Sequence, residues 1–411
     1  MALDFPASPT NGQTFAGPGG VVYQWDGSKW IVLPGSGGGA MLPITGGTLQ
    51  GPLILAADPL PTAPLGAATK QYADAGVASA EHNVGRSYIH NGLFNVQQRG
   101  TGAWTTNGIY TADRWITTFG AGDANSVAIV AVADSNRAQI GDEAAQSMLL
   151  NQFTGASGAA NYVLLIQSIE NVRRLANKTV TVSFFAVASA AGMKIGVSLD
   201  QSFGTGGSPS AAVLGNGQAV TLTTAFARYS LTFTLPSIAG KTLGTNGNDA
   251  TGLDLWLSSG SNFAARSGNV GVQSGNIWLW GIQLELGAAA TPLEKLDPRV
   301  DLANAQRFYQ SYSAPPLRGS ASPSVATVSR MGMLLPVPMR AIPSVAITAP
   351  IGVYNGSQAN TITSIAANYS TNFAIEIDGV TSAAWGAQVG AIYPAMAYQG
   401  GGGTLTASAD L

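Results

Sequence analysis

The chain has 411 residues, room for two or three domains, and its 45% hydrophobic content excludes a disordered chain. Charged residues make up only 10%, against a usual ~25%, and Gly accounts for 52 positions, so the surface must be built largely from Ser, Thr, Asn, Gln and Gly. A net charge of −2 without a basic stripe gives a nucleic-acid role little support, no apolar run of about 18 residues reads as a membrane span, and there is no Cys. No basic-then-apolar leader opens the chain, which leads us to expect folding in a cytoplasm.

Residues 1–34 read as a small β unit. Pro-bounded turns lead into a strand at Val21–Tyr23, the turn Asp26-Gly27-Ser28 and an answering strand at Lys29–Leu33, with Trp25 and Trp30 at the turn. Asp-Gly between alternating apolar residues is a strong hairpin signal. Such a unit is too small to bury a core alone and needs a partner surface. Phe5, Trp25 and Trp30 are its candidate attachment residues. A glycine linker over 35–40 follows, reading Gly35-Ser36-Gly37-Gly38-Gly39.

Residues 41–90 hold short apolar strands broken by Gly-Gly and Gly-Pro, then an Ala-rich helix from Pro64. Leu65, Ala68, Tyr72 and Ala75 fall at heptad-like spacing. A narrow stripe of small residues allows two or three identical helices to approach closely. These four are the expected contacts between such helices. An ordinary helix packed on its own domain is the alternative.

Residues 91–296 read as all-β. Val180, Val182, Phe184 and Ala186 share one face, as do Ile195, Val197 and Leu199, then Tyr229, Leu231, Phe233 and Leu235, then Leu253, Leu255 and Leu257. Trp278, Trp280, Ile282, Leu284 and Leu286 form the last strand, with its two Trp on the core face. Such a series of half-buried strands predicts a β-sandwich, most simply a jelly roll. Asp113-Arg114-Trp115 reads as an ion pair locking a strand start. Residues 297–411 begin with a short helix carrying Leu302, Ala305, Gln306 and Tyr309 on one stripe, followed by strands. Pro336, Pro338 and Pro343 mark edge or strand-start positions there. The expected fold class is therefore mainly β: a small β module, a short shaft with a helix, a β-sandwich and a β tip domain.

Catalytic signals are sparse. His82 and His90 are the two histidines, no G-x-S-x-G elbow accompanies them, and no cofactor or metal is expected. Gly204-Thr205-Gly206-Gly207 lacks the Lys-Ser/Thr helix start that phosphate binding needs and reads as a loop. Asp26, Asp74, Asp113, Glu285 and Glu294 sit in strings with structural explanations: turn, helix surface or strand edge. The expectation is a binding protein and not an enzyme. Sugar recognition uses flat rings and neutral hydrogen-bonding groups. Trp104 in Gly-Ala-Trp-Thr-Thr-Asn, Tyr110, Tyr354 in Val-Tyr-Asn-Gly and Trp385 in Ser-Ala-Ala-Trp-Gly-Ala are the candidate ligand contacts. The competing reading of each is a loop aromatic folded onto the edge of its sheet.

Several strings carry a resemblance. F-P-x-S-P-x-x-G-Q and Y-x-W-D-G-x-K-W in residues 1–34 resemble a module of bacteriophage tail fibre and tail appendage proteins. L-P-x-T-G-G-T-x-x-G-P-L-x-L and D-P-x-P-x-x-P-L-x-A-A-T-K-Q-Y-x-D, over 42–74, resemble their trimeric shaft repeat. N-G-L-F-N-V-Q-Q-R-G with Y-T-A-D-R-W, and later I-W-L-W-G-I-Q-L-E-L-G-A-A-A-T-P-L-E, resemble jelly-roll modules of phage tails, which look like carbohydrate-binding modules. A-Q-R-F-Y, L-P-x-P-M-R-x-x-P and T-A-S-A-D-L resemble a C-terminal fibre domain. That family usually closes in Ala-Asp-Ala-Glu-Leu; here Ala-Asp-Leu stands instead.

The resemblance implies a homotrimeric virion fibre, held on the tail or baseplate by its N-terminal module and recognising a bacterial surface glycan or outer-membrane receptor by its distal half. It implies a protein that is extracellular after lysis, without membrane insertion. A structural fibre with no receptor role and a polysaccharide-degrading tail spike are the alternatives; the second would need two carboxylates ~5–9.5 Å apart.

Overall fold

A computed structural model describes residues 4–33, 85–313, 315–321, 327–354, 359–367, 369–383, 395–397 and 403–411. The linker and nearly all of the 41–90 stretch, including Leu65, Ala68, Tyr72 and Ala75, lie outside the described residues, as do Trp385 and the side chain of Tyr354. The chain forms two units, Met1–Ala75 and Gly76–Leu411.

In the first unit, strands Thr14–Ala16, Val22–Trp25 and Trp30–Val32 make a three-stranded antiparallel sheet. The hairpin forms where the alternation places it. Asp26 Oδ1 accepts hydrogen bonds from the Ser28 and Lys29 amides, both at 2.8 Å, which locks the turn. Trp25 and Trp30 stand directly opposite each other, ring centres 5.7 Å apart. Thr14–Ala16 is a strand that the sequence pattern does not announce. Phe5 stacks on Trp30 at 5.1 Å and meets Phe15 and Tyr23 at 5.0 and 5.2 Å. No described residue of this unit is fully buried, as expected of a sheet too small to enclose a core.

The second unit is mainly β and opens with a β-sandwich of two six-stranded antiparallel sheets. One sheet runs, edge to edge, Ala227–Thr234, Thr179–Ala188, Gly275–Leu286, Ser147–Thr154, Ala124–Ala131, Gly102–Trp104. The other runs Gln218–Thr221, Lys194–Ser202, Ala250–Ser259, Tyr162–Glu170, Ile116–Phe119, Ile109–Tyr110. The chain passes back and forth between the sheets, as in a jelly roll. The alternating residues named above meet between them: Val180, Val182 and Phe184 from one sheet; Ile195, Val197, Leu253, Leu255 and Leu257 from the other.

The last strand departs from the expected alternation. Ser183 pairs with Gln283, yet Phe185 pairs with Trp280, so two residues of Gly275–Leu286 oppose one on its neighbour. This is a β-bulge. Gly281 sits in it at φ +62°, where an added Cβ would come within 2.8 Å of Leu293. The bulge reverses the facing of everything before it. Ile282 and Leu284 point into the main core, whereas Trp278 and Trp280 pack on the outer face with Met148, Phe226 and the helix Asp134–Ile140. The two Trp therefore do not share a face with Ile282 and Leu284.

Beyond the sandwich, Asp297 caps the helix Pro298–Gln306 by accepting from the Arg299 amide at 2.9 Å. Its buried positions are Asp301 and Ala305; Leu302 is exposed, and Tyr309 opens the strand Tyr309–Tyr312 instead of extending the helical stripe. Asp301 is buried because it accepts the Asn91 amide at 3.1 Å. A three-stranded sheet (Tyr309–Tyr312, Leu405–Ser408, Ser344–Ile347) and a closed barrel complete the fold. The barrel order is Arg318–Ala321, Val328–Leu334, Ala374–Thr381, Ala359–Ala366, Ile351–Tyr354, Ala395–Ala397. Leu317, Met331, Val353, Ile362, Ile375, Ile377 and Leu405 fill its core.

Candidate functional site

Trp104 is half-buried and rests against the sandwich core. Tyr110 does not offer a free platform. Its hydroxyl donates to the Leu411 carbonyl and the Arg99 guanidinium lies 5.1 Å from its ring centre. Arg99 also stacks on Tyr309 at 3.6 Å and pairs with Asp410 at 2.5 Å. Asp113 and Arg114 do not pair with each other. Asp113 accepts from the Gln98 amide and side chain at 2.8 and 3.0 Å, while Arg114 reaches Asp410 at 4.0 Å and stacks on Phe308 at 3.4 Å. Burial drives Asp113 up to about 6, against the opposing pull of Arg99 and Gln98. This cluster holds residues 405–411 and the sandwich together. Trp115 is a core residue, and Trp256 is buried on the outer face of its sheet under Phe263 and Val270.

Of the other carboxylates that sequence reasoning set aside, Asp74 lies outside the described residues, and Glu285 and Glu294 make structural contacts. Glu285 accepts from the Thr291 amide at 2.9 Å, and Glu294 from the Ser87 amide at 2.7 Å. Asp254 is buried beside Asp200, and Arg266 bridges the two. Burial, with the neighbouring Asp200 charge adding to it, holds the Asp254 carboxyl well above the usual carboxylate range. Among the described residues, no group of three or more His, Cys, Asp or Glu could hold a metal ion.

A groove of about 610 Å³ lies on the barrel's outer face. Its size falls within the ~300–1,000 Å³ typical of ligand sites. Strand register builds it. Arg318, Gly332 and Glu376 stand in one row across three strands, and Arg330 and Asp378 stand in the next. Gly332 is the floor, where a Cβ would meet the Ile375 carbonyl at 2.9 Å and Glu376 Cγ at 3.2 Å. The inward partners Met331, Ile375 and Ile377 are buried in the barrel, so the floor is rigid. Arg318 and Glu376 are exposed on either side.

Arg330 is fixed by a fork-to-fork pair with Asp378, at 2.9 and 3.2 Å, and its guanidinium lies 4.4 Å from the Tyr369 ring centre. The hydrogen bond to Asp378 raises the Arg330 pKa further. Apolar surface gathers at the same place. Leu334, lining the groove, is 79% exposed, and Tyr369 and Phe373 are 52% and 55% exposed. The loop carrying both rings is anchored, because Ser370 and Glu376 exchange hydrogen bonds at 3.1 Å and the Leu335 amide donates to the Phe373 carbonyl at 3.0 Å. Exposed rings on a pinned loop, beside a preformed ion pair and a glycine floor, can take a flat ligand face and direct hydrogen bonds at its edges.

Sequence reasoning missed Tyr369, Phe373, Arg318, Arg330 and Glu376. Tyr369 and Phe373 lie in Asn-Tyr-Ser-Thr-Asn-Phe, an aromatic-bearing polar loop between strands, the criterion that selected Trp104 and Tyr354. The glycines at 319 and 332, inside strands, were the other available signal.

No protein-family model and no curated protein matches this sequence. Similar solved structures cover about half of it. A family 11 carbohydrate-binding module from Clostridium thermocellum, solved with a β-1,3-1,4-mixed-linked tetrasaccharide, is 12% identical over 46% of this chain and 96% of its own, with a TM-score of 0.29. The CBM22-1 xylan-binding domain of Paenibacillus barcinonensis Xyn10C is 15% identical over 46% and 96%, with a TM-score of 0.25. The enzymatically active domain of bacteriophage CBA120 tailspike protein 4 is 10% identical over 49% of this chain and 22% of that one, with a TM-score of 0.29. Likeness at this level assigns no function.

Proposed function

We propose that this chain is a structural fibre of a bacterial virus, a homotrimer that attaches to the particle through residues 1–34 and engages a host-surface glycan through the barrel groove. The observation that carries the recognition part is the groove itself: Leu334, Tyr369 and Phe373 are exposed beside the fixed Arg330–Asp378 pair. A bare apolar patch on a rigid domain marks an interaction site. A glycan surface offers apolar C–H faces for the rings and hydroxyls for Arg318, Arg330 and Glu376. The fibre part rests on the sequence words at 1–34 and 42–74. The half-buried aromatic cluster around Phe5 and Trp30 supports residues 1–34 as a docking module, since it leaves Ile31 and Val32 exposed at 39% and 54%.

In this reading the protein binds without catalysis, resides in the virion tail, and is folded in the host cytoplasm before release by lysis. Three copies per fibre raise weak single-site binding by avidity, by ~10²–10⁴-fold. The test is adsorption of the purified full chain to a panel of bacterial strains, before and after periodate oxidation of surface sugars, with the solution mass measured alongside. A trimer whose adsorption is abolished by periodate is expected. A monomer overturns the fibre assignment, periodate-resistant adsorption overturns the glycan, and adsorption to no strain leaves the non-receptor fibre as the better reading.

A further inference from the structure

The sandwich has a second cavity that no resemblance assigns, and one buried side chain points to its ligand. The cavity, about 420 Å³, opens at the edge where the two sheets meet. It is lined by residues 213–216 and Gln218 on one side and residues 232–236 on the other. The edge strand Gln218–Thr221 pairs only with Lys194–Val197. Upstream of it, the chain touches the neighbouring strand again at Val213, which exchanges hydrogen bonds with Gln201 at 2.8 and 2.9 Å. Between them the Gly215 amide donates to Asp200 Oδ1 at 2.8 Å. Gln218 spans it, its Nε2 donating to the Thr232 carbonyl at 2.7 Å.

Gln201 lines this cleft and is 1% exposed. Its Nε2 donates to the Pro236 carbonyl at 3.1 Å, and its Oε1 has no hydrogen-bond partner. A carbonyl can only accept, so Pro236 fixes which end of the amide is the donor and leaves the oxygen as a bare buried acceptor. Leaving such a group unmet is unfavourable, and a ligand hydroxyl would satisfy it. None of the residues lining the cleft is ionisable. Leu214 stands at the rim, 56% exposed, with Asn216 beside it.

We propose that this edge cleft binds a neutral sugar residue. A hydroxyl donates to Gln201 Oε1, other hydroxyls meet Asn216 and Gln218, and the apolar C–H face lies on Leu214. The absence of any cation in the lining selects against uronates and sialic acids.

The test is titration calorimetry of the full chain with neutral trisaccharides of glucose, galactose and mannose, and with galacturonic acid oligomers as the acidic comparison. At least one neutral trisaccharide is expected to bind. Gln201→Met, which keeps the length and removes the acceptor together with the donor to Pro236, should weaken it at least about tenfold, the effect of one hydrogen bond. Leu214→Trp, an exposed position where substitution does not disturb the core, should block the cleft and weaken binding at least as much. Tyr369→Ala, in the barrel groove, should leave it unchanged. Failure of every neutral trisaccharide to bind, binding that survives Leu214→Trp, or equal binding of the acidic oligomers each overturns the proposal. Loss of binding in Tyr369→Ala alone would move the neutral site to the groove and overturn it as well.

Discussion

Tyr110 donates its hydroxyl hydrogen to the carbonyl of Leu411, across a separation of 301 residues. The bond belongs to a cluster in which Arg99 and Arg114 both approach Asp410, at 2.5 and 4.0 Å, and in which Arg99 lies between the rings of Tyr110 and Tyr309. Residues 405–411 thus serve two cores. Leu405 and Ala407 fill the barrel side, while Asp410 and Leu411 tie to the sandwich.

Asp410→Ala should therefore destabilise the second unit strongly. It leaves Arg114, 2% exposed in its side chain, without that carboxylate, and Arg99, 13% exposed, with Asp113 at 4.0 Å. Removing one partner of a buried pair costs ~3–5 kcal/mol. Tyr110→Phe removes one hydrogen bond and should cost about 1 kcal/mol. Urea unfolding of both variants checks the ranking; an Asp410→Ala change within experimental error of wild type would remove the cluster's structural role.

Acid should act on the same region through His90. Its imidazole lies 5.9 Å from Phe308, its Nδ1 is closed off from solvent without a partner, and its pKa is pushed down to about 3. Burial is the main cause, and the Arg114, Arg174 and Arg307 charges add to it. The folded state thus binds fewer protons than the unfolded chain, whose His titrates near 6.5. Stability from this residue is complete above pH ~6.5 and is lost as pH falls toward 3. His90→Phe removes the titration, so its unfolding free energy should fall less than that of wild type between pH 7 and pH 4. Parallel curves would contradict the assignment.

Gly281 should be more sensitive to substitution than Gly240. Gly281→Ala meets both a left-handed backbone and Leu293 at 2.8 Å. Gly240→Ala meets only the backbone cost, at φ +75° with nothing within 4 Å. Gly240→Ala should lose about 1 kcal/mol and Gly281→Ala clearly more. Equal losses, measured by thermal unfolding, would mean that the bulge is not held by that contact.

The sandwich was legible because its inner faces obey a period of two. Val180–Ala186, Ile195–Leu199 and Leu253–Leu257 are read directly from alternation, and each lies in the core. What alternation cannot reveal is a change of phase. The bulge at Gly281 turned Trp278 and Trp280 outward, and only a lone glycine in the strand signalled it. The stripe through Leu302 failed for a related reason: helix burial there is set by a polar group, Asp301, that meets Asn91 from a distant segment. Thr14–Ala16 was hidden because its alternation is weak and its partner strand supplies the order.

The site was less legible than the fold. Trp104 and Tyr110 satisfied the rule of an aromatic in polar surroundings; Trp104 is half-buried against the core, and the Tyr110 hydroxyl is bonded to Leu411. Tyr369 and Phe373 satisfied the same rule and remain exposed. The difference lies in the contacts of Tyr110 with Leu411 and Arg99, which are brought together only by the tertiary fold. The Arg330–Asp378 pair spans two adjacent strands whose register cannot be read from either one alone.

The central claim is that the barrel groove recognises the bacterial surface, and adsorption of groove variants tests it most directly. Tyr369→Ala, Phe373→Ala and Arg330→Ala would each be compared with wild type for adsorption to a sensitive strain, with unfolding followed in parallel. Tyr369 and Phe373 are more than half exposed, so their removal should change stability by no more than about 0.5 kcal/mol. The account predicts that each variant folds normally and loses adsorption at least about tenfold, the value of a ring stacking contact. Normal folding with undiminished adsorption in all three would contradict it.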